Sequence, residues 1–411
     1  MSDERLLNRR RFLLGAGGVT LAGIAAAGAA LDARASAQAG VRMVALGQQP
    51  AGLPVSQHAW EQTMARDQFG NAIGPSYDRL IMFDVRGRPT PAYARLLEST
   101  LRRLERTYAW GPAGLLFTVG WSHAYFKQVL GVSSPVPQAK ALSDFELPTI
   151  DDYHLCIHLA CDDPVRLEAA ERLLVASLAP ALRRRETRTG FAGAGLPAAH
   201  QHVGGIPAGD PVPRDSPLFM GFKSALKKNQ ATEQAVTIPD GQFAQGTTMT
   251  VSYMHLRLQS WYQDLSYAQR VARMYSPQTT PADVSRFTTD ARSNPGQINQ
   301  AISHYGVVGH SQASARARVN GRPIILRRDF DTVDGGLAGL HFVSLQRTIE
   351  DFIKTRTAMN QSGAQLINPA VTETVNNGIN EFIFVLRRAN YILPSRAQRS
   401  FPLLPGRAAV L

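Results

Sequence analysis

Residues 307–347 hold most of the side chains whose types and spacing could do chemistry. A lone histidine, His310, follows a short apolar run, and Ile324, Ile325 and Leu326 then lead into Arg327 and Arg328. An imidazole set against an apolar wall can serve as the axial ligand of a haem iron, its other nitrogen held by an acceptor. A guanidinium over the opposite face can stabilise the charge that develops as a peroxide O–O bond breaks. The same residues also suit an ordinary buried histidine and a charged strand end, so spacing alone leaves both readings open.

Other motifs point to packing. His154, Cys156 and His158 alternate, which puts all three on one face of a strand. They look like soft-metal ligands, but the two histidines of such a strand lie about 13 Å apart and cannot share one ion. Gly120-Trp121-Ser122-His123-Ala124 has the outline of a nucleophile elbow, without the final glycine or identifiable triad partners. Cys156 and Cys161 face opposite ways and read as free buried thiols.

The N-terminus reads as an address. Arg9-Arg10-Arg11 precedes Phe12-Leu13-Leu14, a Gly/Ala-rich apolar stretch follows, and Ala35-Ser36-Ala37 offers a cleavage site. This is the pattern of a twin-arginine (Tat) export signal over residues 1–37. It implies the Tat translocase as a partner and a place in the periplasm, cell envelope or medium. That route carries proteins already folded, often with a cofactor inside. Removing 1–37 takes away five bases and three acids and lowers the net charge from +12 to +10. Export argues against nucleic acid as the partner of this basic chain. An apolar fraction of 44% excludes a disordered chain, and two cysteines exclude a disulfide-stapled scaffold. Beyond the signal no run reaches the ~18 apolar residues of a membrane span.

The elements that must position these residues form two mixed halves. In the first, 78–85, 114–119 and 153–160 read as strands, and 91–108 and 164–182 as helices, the latter capped by Asp162-Asp163. Arg183-Arg184-Arg185 then reads as the charge complement of a helix C-terminus. Residues 190–217 are a long Gly/Pro-rich connection. In the second half 247–258, 324–327, 340–345 and 381–387 read as strands and 348–360 as a helix. The alternation predicts an α+β fold of two ferredoxin-like units, at 41–190 and 215–390.

His310, Ile325-Leu326-Arg327-Arg328 and Gly339-Leu340-His341-Phe342 through Gln346-Arg347 stand in a fixed order. Upstream lie Met220-Gly221-Phe222-Lys223, Gly114 to Gly120 and the segment 155–164. Together they resemble the dye-decolourising (DyP-type) haem peroxidases, collinearly over 78–390. The resemblance implies two ferredoxin-like units of the dimeric α/β barrel type, with haem b in the C-terminal unit. It implies His310 as the proximal iron ligand, Gly221 and Phe222 beside the cofactor, and a distal catalytic arginine. Arg327 matches that arginine best, and Arg328, eighteen residues after His310, is the alternative. Hydrogen peroxide and an unknown reductant would be the substrates, with Trp261 or Tyr262 relaying electrons. A homo-oligomer stays open.

The departures matter as much. The family's glycine motif delivers a distal Asp, but here Gly221-Phe222-Lys223 continues as Ser224-Ala225. A serine hydroxyl does not titrate usefully near neutral pH. Asp240 is a candidate replacement. Glu373, Glu381 and Asn368 are candidates to support the proximal histidine. The loss of the acid keeps a second reading alive: a non-catalytic haem-, iron- or ligand-handling protein on the same fold. A third reading keeps the fold and drops haem.

Overall fold

Two copies of one strand and helix order build the molecule. The first runs β1 (Tyr77–Val85), α1 (Pro91–Thr107), β2 (Leu116–Ser122), β3 (Leu155–Cys161), α2 (Pro164–Leu178) and β4 (Leu182–Phe191). Its strands lie in the order β2-β3-β1-β4, all antiparallel. The second runs β5 (Thr247–Leu256), α3 (Tyr267–Met274), α4 (His310–Ser314), β6 (Ile325–Arg327), β7 (Phe330–Thr332), β8 (Gly339–Gln346), α5 (Ile349–Asn360) and β9 (Ile383–Leu393). Its order, β7-β8-β5-β9, repeats the first. This is the ferredoxin-like arrangement in both halves, as the sequence predicts. A computed structural model describes residues 41–43, 52–67, 70, 72–223, 230–285 and 295–405. They fall in a unit at 43–404 and a second formed by 1–42 and 405–411, of which 41, 42 and 405 are described. The expected export signal lies outside the described residues.

The two sheets join edge to edge. Phe191 of β4 pairs with Asp331 of β7, and Tyr391 and Ile392 of β9 pair with Ser122 and Trp121 of β2. The result is a closed antiparallel barrel of eight strands. Alternation along each strand then sorts the side chains. Leu80, Met82, Cys156, Val251, Val343 and Tyr391 fill the interior. In the first half the outward face is covered by α1, which buries Leu97, Leu101 and Leu104. Thr90 and Asp163 cap α1 and α2 by accepting hydrogen bonds from first-turn amides. A bulge between Val385 and Arg387 reverses the facing of β9, so Arg387 points inward and bonds Asp151 at 2.7 Å.

Strand β4 corrects one expectation. The helix ends at Leu178, and Arg183, Arg184 and Arg185 lie in a strand, not at a helix terminus. Ion pairing is the reason: Asp84 on β1 takes Arg183 at 2.9 Å and Arg185, while Glu171 on α2 takes Arg184 at 3.5 Å. Both cysteines are free and buried, as expected. His154 accepts the Val85 amide at 3.0 Å and His158 bonds Asp78 at 2.7 Å, which accounts for the histidine stripe as packing. Among the described residues no cluster of His, Cys, Asp and Glu could hold a metal ion. Among them, too, no helix is long and apolar enough to cross a membrane.

The segment after β9 is strapped to α1. The fully buried Arg399 guanidinium bonds Glu98 at 3.1 Å and Glu105 at 2.6 Å, Ser400 bonds Glu98 at 2.6 Å, and the Trp121 indole donates to the Arg399 carbonyl at 2.8 Å. Breaking such a buried pair leaves unpaired charge, which costs about 3–5 kcal/mol. Arg399→Ala should therefore lower the urea midpoint by that equivalent with little change in slope.

Candidate functional site

The outward face of the second sheet borders a cavity open to solvent, with about 1290 Å³ of space between atoms when the solvent at its mouth is included. Met254, Leu340, Phe342 and Ile383 supply its apolar floor. They lie on neighbouring strands, with Leu340 paired to Met254 and Ile383 to Leu256. Helix α5 contributes Phe352, Thr355, Arg356 and Met359, at helical spacing on one face. His310, Arg318, Arg327 and Asp329 complete the wall with the segment 314–325.

His310 is the first residue of α4, and its backbone is clamped from two sides. A Cβ on Gly309 would lie 2.0 Å from the Tyr275 carbonyl oxygen, and one on Gly378 would lie 2.9 Å from the His310 Cα. Gly378 also has φ +55°, a conformation that costs other residues about 1–2 kcal/mol. The Gly378 amide donates to Val308 at 2.7 Å and the Gln312 amide to Tyr275 at 3.2 Å. The His310 Nδ1 is buried and has no hydrogen-bond partner among the described residues. Burial, followed by the charges of Arg327 and Arg356, pushes the imidazole down to about 3, so it is neutral at physiological pH. A neutral imidazole is the form that binds a metal. The three candidates for its support are engaged elsewhere. Asn368 donates to Ile302 at 2.9 Å, Glu381 pairs with Arg273 at 3.5 Å, and the Glu373 carboxylate takes the Ser362 hydroxyl.

Strand alternation separates the two arginines. Arg327 lines the cavity, while Leu326 and Phe330 belong to the barrel core. The Gln230 side chain accepts the Arg327 amide at 2.6 Å. Arg328 lies away from the cavity, with its guanidinium 3.8 Å above the Trp60 ring and bonded to Glu233 at 2.9 Å. The expectation of Arg328 at the site is therefore corrected: consecutive residues of an extended chain face opposite ways. Phe222 lines the cavity with Leu218 and Met220, three alternate residues. Gly221 stands behind them, where a Cβ would approach the Tyr262 hydroxyl at 2.8 Å. Trp261 and Tyr262 bond the Met220 and Phe219 carbonyls at 3.0 and 2.6 Å, so they hold this segment in place. Ser224 and Ala225 lie outside the described residues. Asp240 is exposed in a turn and does not line the cavity.

Three residues were missed from sequence. Arg356 sits on the apolar stripe of α5, a position where a charge is itself a signal. Its guanidinium bonds Glu146 at 2.8 Å, and Glu146 also bonds Arg388 at 2.8 Å. Burial pushes the Glu146 carboxyl up, but the Arg388 hydrogen bond and both arginine charges outweigh it and hold it below its ordinary value. The Arg388 Nη2 is buried without a partner among the described residues. Asp329, two residues past Arg327, lies 3.9 Å from its guanidinium. Burial raises its carboxyl to about 6, against the opposing charge of Arg327.

The sequence matches "Family of unknown function (DUF7405)" over residues 75–395. No curated protein matches it. Solved structures share its fold. A DyP-type peroxidase from Cellulomonas bogoriensis superposes with a TM-score of 0.55 at 19% identity, covering 82% of this chain and 96% of that one. A DypB variant from Rhodococcus jostii RHA1 in complex with heme gives 0.56 at 13% identity, covering 84% and 98%. DtpA from Streptomyces lividans gives 0.56 at 19% identity, covering 84% and 96%. The fold is thus that of the DyP-type peroxidases.

An unfolded histidine near 6.5 and a folded one near 3 set a sign. The unfolded chain binds the proton more readily, so His310 favours the fold fully above pH about 6.5 and progressively opposes it as pH falls toward 3. Against His310→Leu, wild type should lose relative stability on acidification through that window, read by denaturant titration at each pH. Gly378→Ala should lower the melting temperature through the clash at the His310 Cα.

Proposed function

The chain belongs to the DUF7405 family, whose function is unknown, and from its fold and its cavity we propose that it is a Tat-exported haem protein that oxidises a reductant with hydrogen peroxide. The observation that carries this reading is a histidine kept neutral by burial in the wall of an apolar cavity rich in guanidinium groups. These residues fit haem. His310 would hold the iron, Leu340, Phe342, Ile383 and Met254 would pack on the macrocycle, and the unpartnered Arg388 Nη2 is a donor for a ligand carboxylate. The DyP-type relatives by fold supply the precedent, one of them in complex with heme.

When bound, haem would supply the redox chemistry at iron, and the protein supplies orientation and electrostatics. His310 needs no deprotonation to bind, because its site already keeps it neutral. Arg327 carries a fixed positive charge at the cavity wall, where it orients peroxide and stabilises negative charge on oxygen. Apolar walls beside it lower the local dielectric and strengthen that interaction.

One observation favours a second reading, a haem- or iron-handling protein without peroxide chemistry. The His310 Nδ1 has no carboxylate acceptor among the described residues, and such an acceptor is what raises the basicity of a ligating imidazole.

The test is an absorption spectrum of the mature protein, from residue 38, after haem is offered. A stoichiometric Soret band that shifts or disappears in His310→Ala is expected. Indistinguishable spectra would remove His310 as ligand. Peroxide added to the loaded protein separates the readings: spectral change with turnover of a reductant supports the peroxidase, and an inert spectrum supports the handling protein.

A further inference from the structure

Asp329 is a buried carboxyl on the cavity wall, its side chain only 9% exposed. One of its oxygens, Oδ1, is buried with no hydrogen-bond partner among the described residues. Its Oδ2 lies 3.9 Å from the Arg327 guanidinium. An unpaired acceptor in a low-dielectric site is costly unless a proton or a donor visits it. The two backbone amides that precede Asp329 are engaged elsewhere. The Arg327 amide goes to Gln230 at 2.6 Å and the Arg328 amide to the Val343 carbonyl at 2.8 Å.

We propose that Arg327 and Asp329 together form a site that splits a neutral weak acid of the peroxide class, Asp329 taking its proton and Arg327 holding the anion. The substrate class rests on the haem reading above. The step balances. The O–H bond of the acid HX breaks, a new O–H bond forms on Asp329, and X⁻ stays beside the guanidinium. A neutral molecule enters, so the cavity gains no net charge, and Arg327 exchanges one anionic neighbour for another. Returning the proton to X⁻ re-forms HX and restores the pair. This places the acid–base group five residues past the start of β6's Ile324-led run, not in the glycine motif that ends at Ser224.

The charged surroundings suit the task. Arg327 stands two residues before Asp329 and Asp331 two residues after. Across the cavity are Arg318, Arg356 and Arg388, with His310 uncharged. Asp331 is a poor rival. Its Oδ2 accepts the Phe219 amide at 2.5 Å, it does not line the cavity, and burial pushes its carboxyl well above the ordinary range. Asp329, raised to about 6, can give and take a proton near neutrality.

Infrared difference spectroscopy on the mature protein, haem-loaded and haem-free, tests this with azide as the weak-acid probe. Azide uptake in wild type should raise one carboxylic-acid C=O band, and the azide stretch should report the bound anion. Asp329→Asn should lose the carboxyl band, Asp329→Glu should regain it, and Asp331→Asn should keep it. Persistence of the band in Asp329→Asn overturns the proposal, as does azide bound to wild type with no carboxyl protonated, or no azide bound at all. If Asp329→Asn fails to fold, loss of the azide-induced band in Asp331→Asn, or its absence in Asp329→Glu, overturns the proposal equally. Failure of the haem reading is separate: it shows as a missing Soret band, while the haem-free spectra still decide the role of Asp329.

Discussion

The seam where Tyr391 and Ile392 meet Ser122 and Trp121 governs the rest of the molecule. Closing the ring leaves no strand edge to protect, and it fixes which side of every strand is inside. The interior is small and filled by side chains. A large ligand space can then exist only on an outward face. In the first half that face is covered by helices that bury Leu97, Leu101 and Leu104 of α1 and Leu167, Leu174 and Leu178 of α2. In the second half, α4, α5 and the chain between α4 and β6 arch over the sheet and enclose the cavity.

Charge distribution separates this cavity from an ordinary core. Four arginines, Arg318, Arg327, Arg356 and Arg388, reach its wall, and Asp329 is the one carboxylate among the lining residues. Glu146 ties Arg356 to Arg388 but does not itself line the space. Guanidinium groups resist neutralisation by proton loss, so the excess of positive charge persists in an apolar setting. That balance favours a ligand that is mostly apolar yet carries carboxylates at its rim.

The sequence showed most strands and helices because their apolar periods are clean. β1 and α1 fall within a residue or two of where alternation and helical spacing put them. β4 was hidden because its run of arginines breaks the apolar alternation, and the acids that neutralise it lie far away in sequence, at Asp84 and Glu171. The choice between Arg327 and Arg328 was legible in principle, since the apolar neighbours Leu326 and Phe330 mark the inward parity. Arg388 was not legible, because its facing depends on a bulge with no glycine to announce it. The orphaned nitrogen of His310 belongs to three dimensions alone.

That bulge between Val385 and Arg387 has a further meaning. Strand parity is a counting rule, and here one extra residue changes the count between the apolar floor at Ile383 and the guanidinium at Arg388. A regular ladder carrying the same residues would exchange the sides on which Arg387 and Arg388 stand. Asp151 would lose the inward arginine it bonds, and the cavity would lose the one it holds with Glu146. Leu386 is the extra residue, since Val385 stands opposite Met254 and Arg387 opposite Tyr253, and the count it adds, rather than its side chain, sets where both arginines stand.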